Sequence, residues 1–261
     1  MIRHLTLCAD DYAQSPGISQ GILQLIEAKR LTATSVFSLS AHWPDAARDL
    51  SGLDADIGLH LDLTEPFATD SHPLSWWLIR SQLRLLSRAQ LRGRILAQID
   101  AFADALGRLP DYIDGHQHVH ALPVIRQALT DAIAERWENQ PLPYVRLPDL
   151  LADAGDSGVK GWILKTCCAG FAQHIARSGL TAPAWFAGMY SFDPRTDYAA
   201  LMERWLAGCP DGGLIMCHPG LADTAADPIA ATRPLEYRYL ASAAFADACR
   251  EQNIELSRFQ V

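Results

Sequence analysis

The sequence predicts an α/β fold with a parallel sheet, curled into a regular or distorted (β/α) barrel of seven to eight mostly parallel strands. Three observations carry this expectation. Short apolar runs recur along the chain and alternate with stretches whose apolar residues fall at helical spacing. The alternation runs through residues 1–261 as a single domain, without an internal repeat, low-complexity tract or flexible linker. That length suits a closed barrel better than an open doubly wound sheet.

The elements follow in order. His4 to Ala9 reads as a buried strand, and Ser15-Pro16 reads as an N-cap with proline in the first helical turn. The helix it opens, Ile18 to Lys29, places Ile18, Ile22, Leu25 and Ile26 on one side. Thr34 to Leu39 is β-branched and strand-like, and WPDAARDL after it is a short helix. Asp56 to Leu63 alternates with period two, apolar at Ile57, Leu59, Leu61 and Leu63. Helices are expected over Leu74 to Ser87 and Ala89 to Leu106, then a short strand, Tyr112 to Asp114. Pro123 to Trp137 reads as a helix, Tyr144 to Leu147 as a strand, and Gly161 to Ser178 as one helix. A short strand at Pro183 to Phe186, a helix carrying Leu201 and Trp205, and a buried strand from Leu214 to Cys217 come next. Glu236 to Arg250 reads as a helix, and Ile254 to Phe259 as a last strand.

Composition narrows the function. Hydrophobic residues make up 49% and charged residues 20%, which is enough apolar material for a full core. The net charge of −8 disfavours nucleic acid, whose phosphates are bound by Lys and Arg, and leaves a neutral small molecule open. No run is long enough for a membrane span, and the first residues lack the apolar stretch of a signal peptide. The six cysteines contain no CxxC pair, so neither a zinc ribbon nor a disulfide scaffold is indicated; a reduced, cytoplasmic protein is the simplest reading. The chain is expected to act alone or as a homodimer.

In a barrel of this kind, chemistry gathers where strands end. Asp10 and Asp11 end the first strand in CADDYAQSPG. Two buried carboxylates there are costly without a positive partner, although an ordinary turn also favours aspartate. His60 occupies a polar position of IGLHLDL, facing either the lumen or solvent. In DGHQHVH, His116, His118 and His120 recur at every second residue, and an extended segment would throw all three to one face. One or two of them could equally brace the loop. His218 closes LIMCH before Pro219-Gly220, where it is either a turn residue or a functional one. Together these groups admit a divalent ion bound by one carboxylate and two imidazoles, with open positions for water and substrate. A nitrogen and oxygen donor set without thiolate suits Zn²⁺, Mn²⁺, Co²⁺ or Mg²⁺.

Hydrolysis of an amide needs an activated water, stabilisation of an oxyanion and a proton for the departing amine. Adjacent Asp10 and Asp11 could divide the roles of base and ligand, provided the chain turns there, because a regular strand sends their side chains to opposite faces. An imidazole is suited to protonate the nitrogen. Arg146, in YVRLP, could hold a substrate oxygen or simply form a salt bridge. For stacking on a sugar ring the aromatic candidates are Trp76, Trp77, Trp185, Phe186 and Tyr190, with the loop-like WFAGMY as the preferred wall and Tyr12 beside the acid pair; core packing is the ordinary role of each.

The motifs ADD, IGLHLDLTE, DGHQHVHALP, YVRLP and CHPG, in this order and followed by TRPLEYRYL, resemble the YdjC-like carbohydrate deacetylases. That family includes chitooligosaccharide deacetylases and relatives in hopanoid biosynthesis. The resemblance spans Leu7 to about Leu240 and implies a (β/α)-barrel hydrolase that uses one divalent metal ion to remove an N-acetyl group from an amino sugar or oligosaccharide. By that likeness Asp11, His60 and His116 would be the metal ligands, Asp10 the general base and His218 the proton donor. His118 and His120 would support the ligands from behind. The family commonly continues ADD with Phe-Gly, where this chain has Tyr12-Ala13. Two other classes fit less well: a metal-dependent phosphoesterase, which needs more basic groups, and a non-catalytic sugar-binding barrel, which leaves Asp10 unexplained.

Overall fold

A computed structural model describes residues 1–67, 70–222 and 227–260. Its strands are β1 (Arg3–Tyr12), β2 (Ala33–Val36), β3 (Asp56–Leu61), β4 (Tyr112–Gly115), β5 (Tyr144–Val145), β6 (Phe186–Ala187), β7 (Gly213–Cys217) and β8 (Ile254–Leu256). The helices between them are α1 (Pro16–Glu27), α2 (Trp43–Asp49), α3 (Leu74–Gln82), α4 (Arg88–Leu106), α5 (Ile125–Arg136), α6 (Gly158–Cys168), α7 (Phe171–Arg177), α8 (Tyr198–Gly208), α9 (Arg233–Leu240) and α10 (Ala243–Glu251). Seven strands pair in the order β5-β4-β3-β2-β1-β7-β6, and every pairing is parallel. The eighth, β8, runs beside the first residues of β1, next to where β2 takes over. The sheet curls into a distorted barrel. Its two ends meet at one bridge, Leu151 with Phe186, where the Ala152 amide donates to the Phe186 carbonyl at 2.8 Å.

Alternation along the strands sorts side chains into two packed layers. Leu5, Leu7 and Ala9 of β1 join Ile57, Leu59 and Leu61 of β3 in the large core beneath the helices. Cys8, Ala33, Tyr112, Tyr144, Phe186, Leu214 and Met216 fill the inside of the curl. The Tyr112 ring lies where a Cβ on Gly58 would have to sit, only 2.3 Å away, so β3 must be bare at that point. Polar residues one step further along the inward-facing rows, at the carboxyl ends of the strands, therefore converge above a plugged lumen. His60 is one of them, with 2% of its surface exposed, so its polar position faces inward and not to solvent.

Several elements depart from the expected boundaries for local reasons. The helix expected over Gly161 to Ser178 is two, α6 and α7, because Gly170 adopts a left-handed φ of 78° between them. The helix expected over Glu236 to Arg250 is also two, with Ser242 accepting from the Phe245 amide to start the second. The helix expected to reach Ser87 ends at Gln82, just before Arg84 at φ 55°. The HQHVH segment is not extended. His116–Ala121 is a 3₁₀ helix with Gln117 and His118 in the left-handed region, so its three histidines point in different directions.

Candidate active site

The acid pair is presented by a break in strand register. Between Ala9, level with Thr34, and Tyr12, level with Val36, β1 uses three residues where β2 uses two. The extra residue is a bulge, and Asp11 adopts φ 73° within it. This turn brings both carboxyl groups to the same cavity, which a regular strand could not do. The cavity holds about 460 Å³ and is lined at its base by Asp10, Asp11, His60, His116, His118 and His218.

Asp11 lies among imidazoles. Its Oδ1 is 3.4 Å from Nε2 of His60 and 3.3 Å from Nδ1 of His116, yet it is buried and receives no hydrogen bond. One donor atom from each of the three residues falls within 4.8 Å of the others. Each ring is oriented from behind: His60 Nδ1 is 2.6 Å from Asp114 Oδ1, and His116 Nε2 is 3.4 Å from Glu65 Oε1. A carboxylate behind each imidazole is the usual support of a metal-binding histidine. Burial disfavours charge on these rings, but Asp114 and Asp11 push His60 up to about 10, and Asp11 and Glu65 push His116 up to about 9. The surroundings thus favour a positive charge at this point. An orphaned carboxylate oxygen facing two oriented imidazoles fits a divalent cation.

Asp10 belongs to a second centre. Arg146, fully buried, meets Asp10 Oδ2 and Oδ1 at 2.6 Å each and Asp114 Oδ2 at 2.6 Å. Cys8, Asp10 and Asp114 would otherwise form another metal-like group, but here the guanidinium supplies the cation. Burial works against ionisation of Asp10; the Arg146 guanidinium overrides it and holds the carboxyl well below the usual range. Asp11 is treated alike: burial opposes its charge, and Arg233, 2.8 Å from Oδ2, prevails together with the two imidazoles. His218 Nε2 stands 3.8 Å from Asp10 Oδ2, its ring edge-on to Phe192 at 5.0 Å, and its backbone amide donates to Glu236 Oε2 at 2.6 Å.

The structure therefore brings Asp10, Asp11, His60, His116 and His218 together. His118 also lines the cavity, and burial with Arg146 nearby holds its ring well below the ordinary histidine range. His120 lies behind, its Nε2 3.0 Å from the Arg146 carbonyl. Four expected sugar contacts, Arg146, Tyr12, Phe186 and Trp185, do not line the cavity. Arg146 is consumed by Asp10 and Asp114. Tyr12, beyond the bulge, turns outward and donates to the Ala46 carbonyl at 3.0 Å. Phe186 packs inside the curl, edge-on to His118 at 5.6 Å. Trp185 packs against Gly213 at the entry of β7, the end of the barrel opposite His218.

Sequence reasoning did not assign Asp114, Glu65, Ser35, Arg233, Glu236 or Asp227. Signals existed for three of them. Asp114 opens DGHQHVH, and Arg233 and Glu236 are the polar residues of R-x-x-E in TRPLEYRYL. Arg233 bridges Asp11 to Asp227, while Glu236 holds both the His218 amide and the Tyr190 hydroxyl, the latter at 2.7 Å.

Fold and site together define a parallel α/β barrel with a histidine–carboxylate centre at the carboxyl ends of its strands. The family model described as YdjC-like protein matches residues 4–251, and the chain belongs to that family. A carbohydrate deacetylase of Xenopus laevis is 29% identical over 55% of this chain and 50% of its own length. A human carbohydrate deacetylase is 26% identical, over 83% of this chain and 74% of its own. A chitooligosaccharide deacetylase of Serratia marcescens is 27% identical over 85% and 84%. The chain thus spans about half the length of some curated relatives and most of others. Among solved structures, an Enterococcus faecalis protein described as a candidate for cellobiose-phosphate cleavage superposes with a TM-score of 0.74 at 20% identity, covering 99% of this chain and 98% of its own, which shows the shared fold.

Proposed function

We propose that this chain is a metal-dependent carbohydrate N-deacetylase, converting an N-acetylated amino sugar and water into the free amino sugar and acetate. The observation that carries the reading is the unpartnered Asp11 Oδ1 between His60 Nε2 and His116 Nδ1, in the same cavity as Asp10 and His218. The names of the relatives from Xenopus laevis, human and Serratia marcescens support it.

Asp11, His60 and His116 would hold one divalent ion, Zn²⁺, Mg²⁺, Mn²⁺ or Co²⁺ by their donor set. Such an ion would polarise the acetyl carbonyl and acidify water. Asp10 is kept ionised by Arg146 and is placed to accept the proton of the attacking water. Because that pairing also makes Asp10 a weak base, the proton must move on, and His218 is the neighbouring imidazole. His218 delivers a proton to the nitrogen as the C–N bond breaks, and Glu236 fixes its backbone during the step. Arg146 is held by Asp10 and Asp114, and Arg233 by Asp11 and Asp227. The test is release of acetate, against release of phosphate, from N-acetylated mono- and oligosaccharides and sugar phosphates with each of the four metals. Acetate release is expected; phosphate release alone overturns the reading.

A further inference from the structure

We propose that the face formed by α3 and α6 is a docking surface for an anionic lipid bilayer, set beside the mouth of the cavity. Nine large apolar side chains are exposed among the described residues, and six of them lie on these helices or in the turn after α3: Ile79, Leu83, Leu85, Val159, Trp162 and Ile163, exposed by 42% to 75%. The two segments touch, since Gln82 Nε2 donates to the Cys167 carbonyl at 2.9 Å. A patch of this kind on a protein surface marks an interaction site. Trp162 is the side chain expected at the boundary between headgroups and acyl chains.

Charge identifies the occupant. The chain carries a net charge of −8, yet no Asp or Glu occurs in 71–99 or 157–192. Nearby acidic side chains from elsewhere neutralise part of the basic set: Asp131 pairs with Arg88, Glu135 with Arg92 and Asp70 with Arg94. Arg84, Lys160 and Lys165 are exposed and Arg80 partly so, and none of the four forms an ion pair among the described residues. An apolar patch ringed by unpaired cations, on a protein otherwise acidic, complements a negatively charged bilayer. A second copy of this chain would bring the same cations face to face.

The surface is continuous with the cavity. Leu74 and Leu78 of α3, and Ile163, Leu164 and Cys167 of α6, line its wall, so the apolar face runs from the exterior to the site. Docking would turn the cavity mouth toward the bilayer. The docking inference stands on the surface alone and does not depend on the chemistry proposed for the site.

The experiment is sedimentation of the full chain with vesicles of phosphatidylcholine, with and without phosphatidylglycerol, alongside tryptophan emission compared with that of Trp162→Ser. Binding to the anionic vesicles, a blue shift of emission and release by salt are expected. Each cation near the surface strengthens binding about fivefold, so Arg84→Gln with Lys165→Gln should weaken it about 25-fold. Trp162→Ser with Val159→Ser should abolish it, circular dichroism confirming the fold of both variants. Absence of binding to anionic vesicles overturns the proposal, as does binding that these substitutions leave unchanged. A concentration-dependent dimer dispersed by Trp162→Ser would also overturn it, assigning the face to a second copy.

Discussion

Replacing Arg146 by methionine removes the cation on which the buried acids depend. Arg146 has no exposed surface, contacts Asp10 twice and Asp114 once at 2.6 Å, and lies 3.0 Å from Cys8 Sγ. Methionine restores much of the volume but leaves two carboxylates together, both reached by the Ser35 hydroxyl at 3.3 and 2.6 Å. Removing one partner from a buried ion pair costs about 3–5 kcal/mol. For a chain of this size each kcal/mol shifts Tm by about 2–4 °C, so a fall of about 6–20 °C is expected.

The pH dependence is the sharper test. In the native protein burial opposes the Asp10 charge and Arg146 overrides it, so the folded pKa lies below the unfolded one. The unfolded chain then binds the proton first as pH falls. This contribution is complete above an unfolded value of about 3.9 and is lost as pH drops toward the folded value. In Arg146→Met, burial and the like charge of Asp114 raise one carboxyl above its unfolded value. The folded state now holds the extra proton, and stability falls as pH rises, by about 1.4 kcal/mol per pH unit for one proton. Urea unfolding from about pH 4 to 8 should show this contribution flat in the native protein and falling with pH in the variant. A variant within about 1 kcal/mol of the native protein, with an unchanged slope, refutes the assignment of Arg146 as the holder of Asp10.

Three further outcomes follow. Asp10→Asn and His218→Ala should each lower kcat by about 10²- to 10⁴-fold while far-ultraviolet circular dichroism stays native; near-native turnover in either removes that residue from the chemistry. His60→Ala should lower the bound metal from one ion per chain, measured by mass spectrometry of the dialysed protein, and unchanged stoichiometry sinks the ligand assignment. Ala13 adopts φ 68° where the related motif has glycine. Ala13→Gly relieves about 1–2 kcal/mol of left-handed strain and loses about 0.8 kcal/mol of methyl burial and about 0.5–1 kcal/mol to unfolded-state entropy, so Tm should barely move. A fall worth more than about 2 kcal/mol would show that the Ala13 methyl is needed by the core.

Much of this was legible in the sequence because it depends on local period and chain order. The odd-numbered apolar positions of IGLHLDL placed Leu59 and Leu61 under the helices and left His60 on the other face, and the fold made that face the lumen. The strand ends carrying Asp10, Asp11 and His218 were read from where apolar runs stop. What stayed illegible depends on pairings across the fold. Arg146 is 136 residues from Asp10, and Arg233 is 222 from Asp11, so no spacing rule connects them. The position of the aromatic candidates depends on the fold for a related reason. Trp185 and Phe186 neighbour the cavity residue Met189 in sequence, but Phe186 packs inside the barrel and Trp185 lies by Gly213 at its far end. In HQHVH the period of two was real, yet backbone in the left-handed region at Gln117 and His118 cancelled its meaning.

The two adjacent aspartates show how a fold can separate the chemistry of neighbouring residues. In a regular strand one would face the lumen and the other the helices, and the second would be buried without a partner. The bulge turns Asp11 inward at the expense of a left-handed backbone, a conformation aspartate tolerates better than most residues. The turn is then fixed from both sides: the Ala13 amide donates to Ser19 Oγ at 3.0 Å, and Ser40 Oγ donates to the Ala13 carbonyl at 2.5 Å. Once both carboxyls face one cavity, different arginines distinguish them. Arg146 grips both oxygens of Asp10, whereas Arg233 takes only Oδ2 of Asp11 and leaves Oδ1 to the imidazoles. That single uncommitted oxygen is why the proposed cation is assigned to Asp11 and not to Asp10.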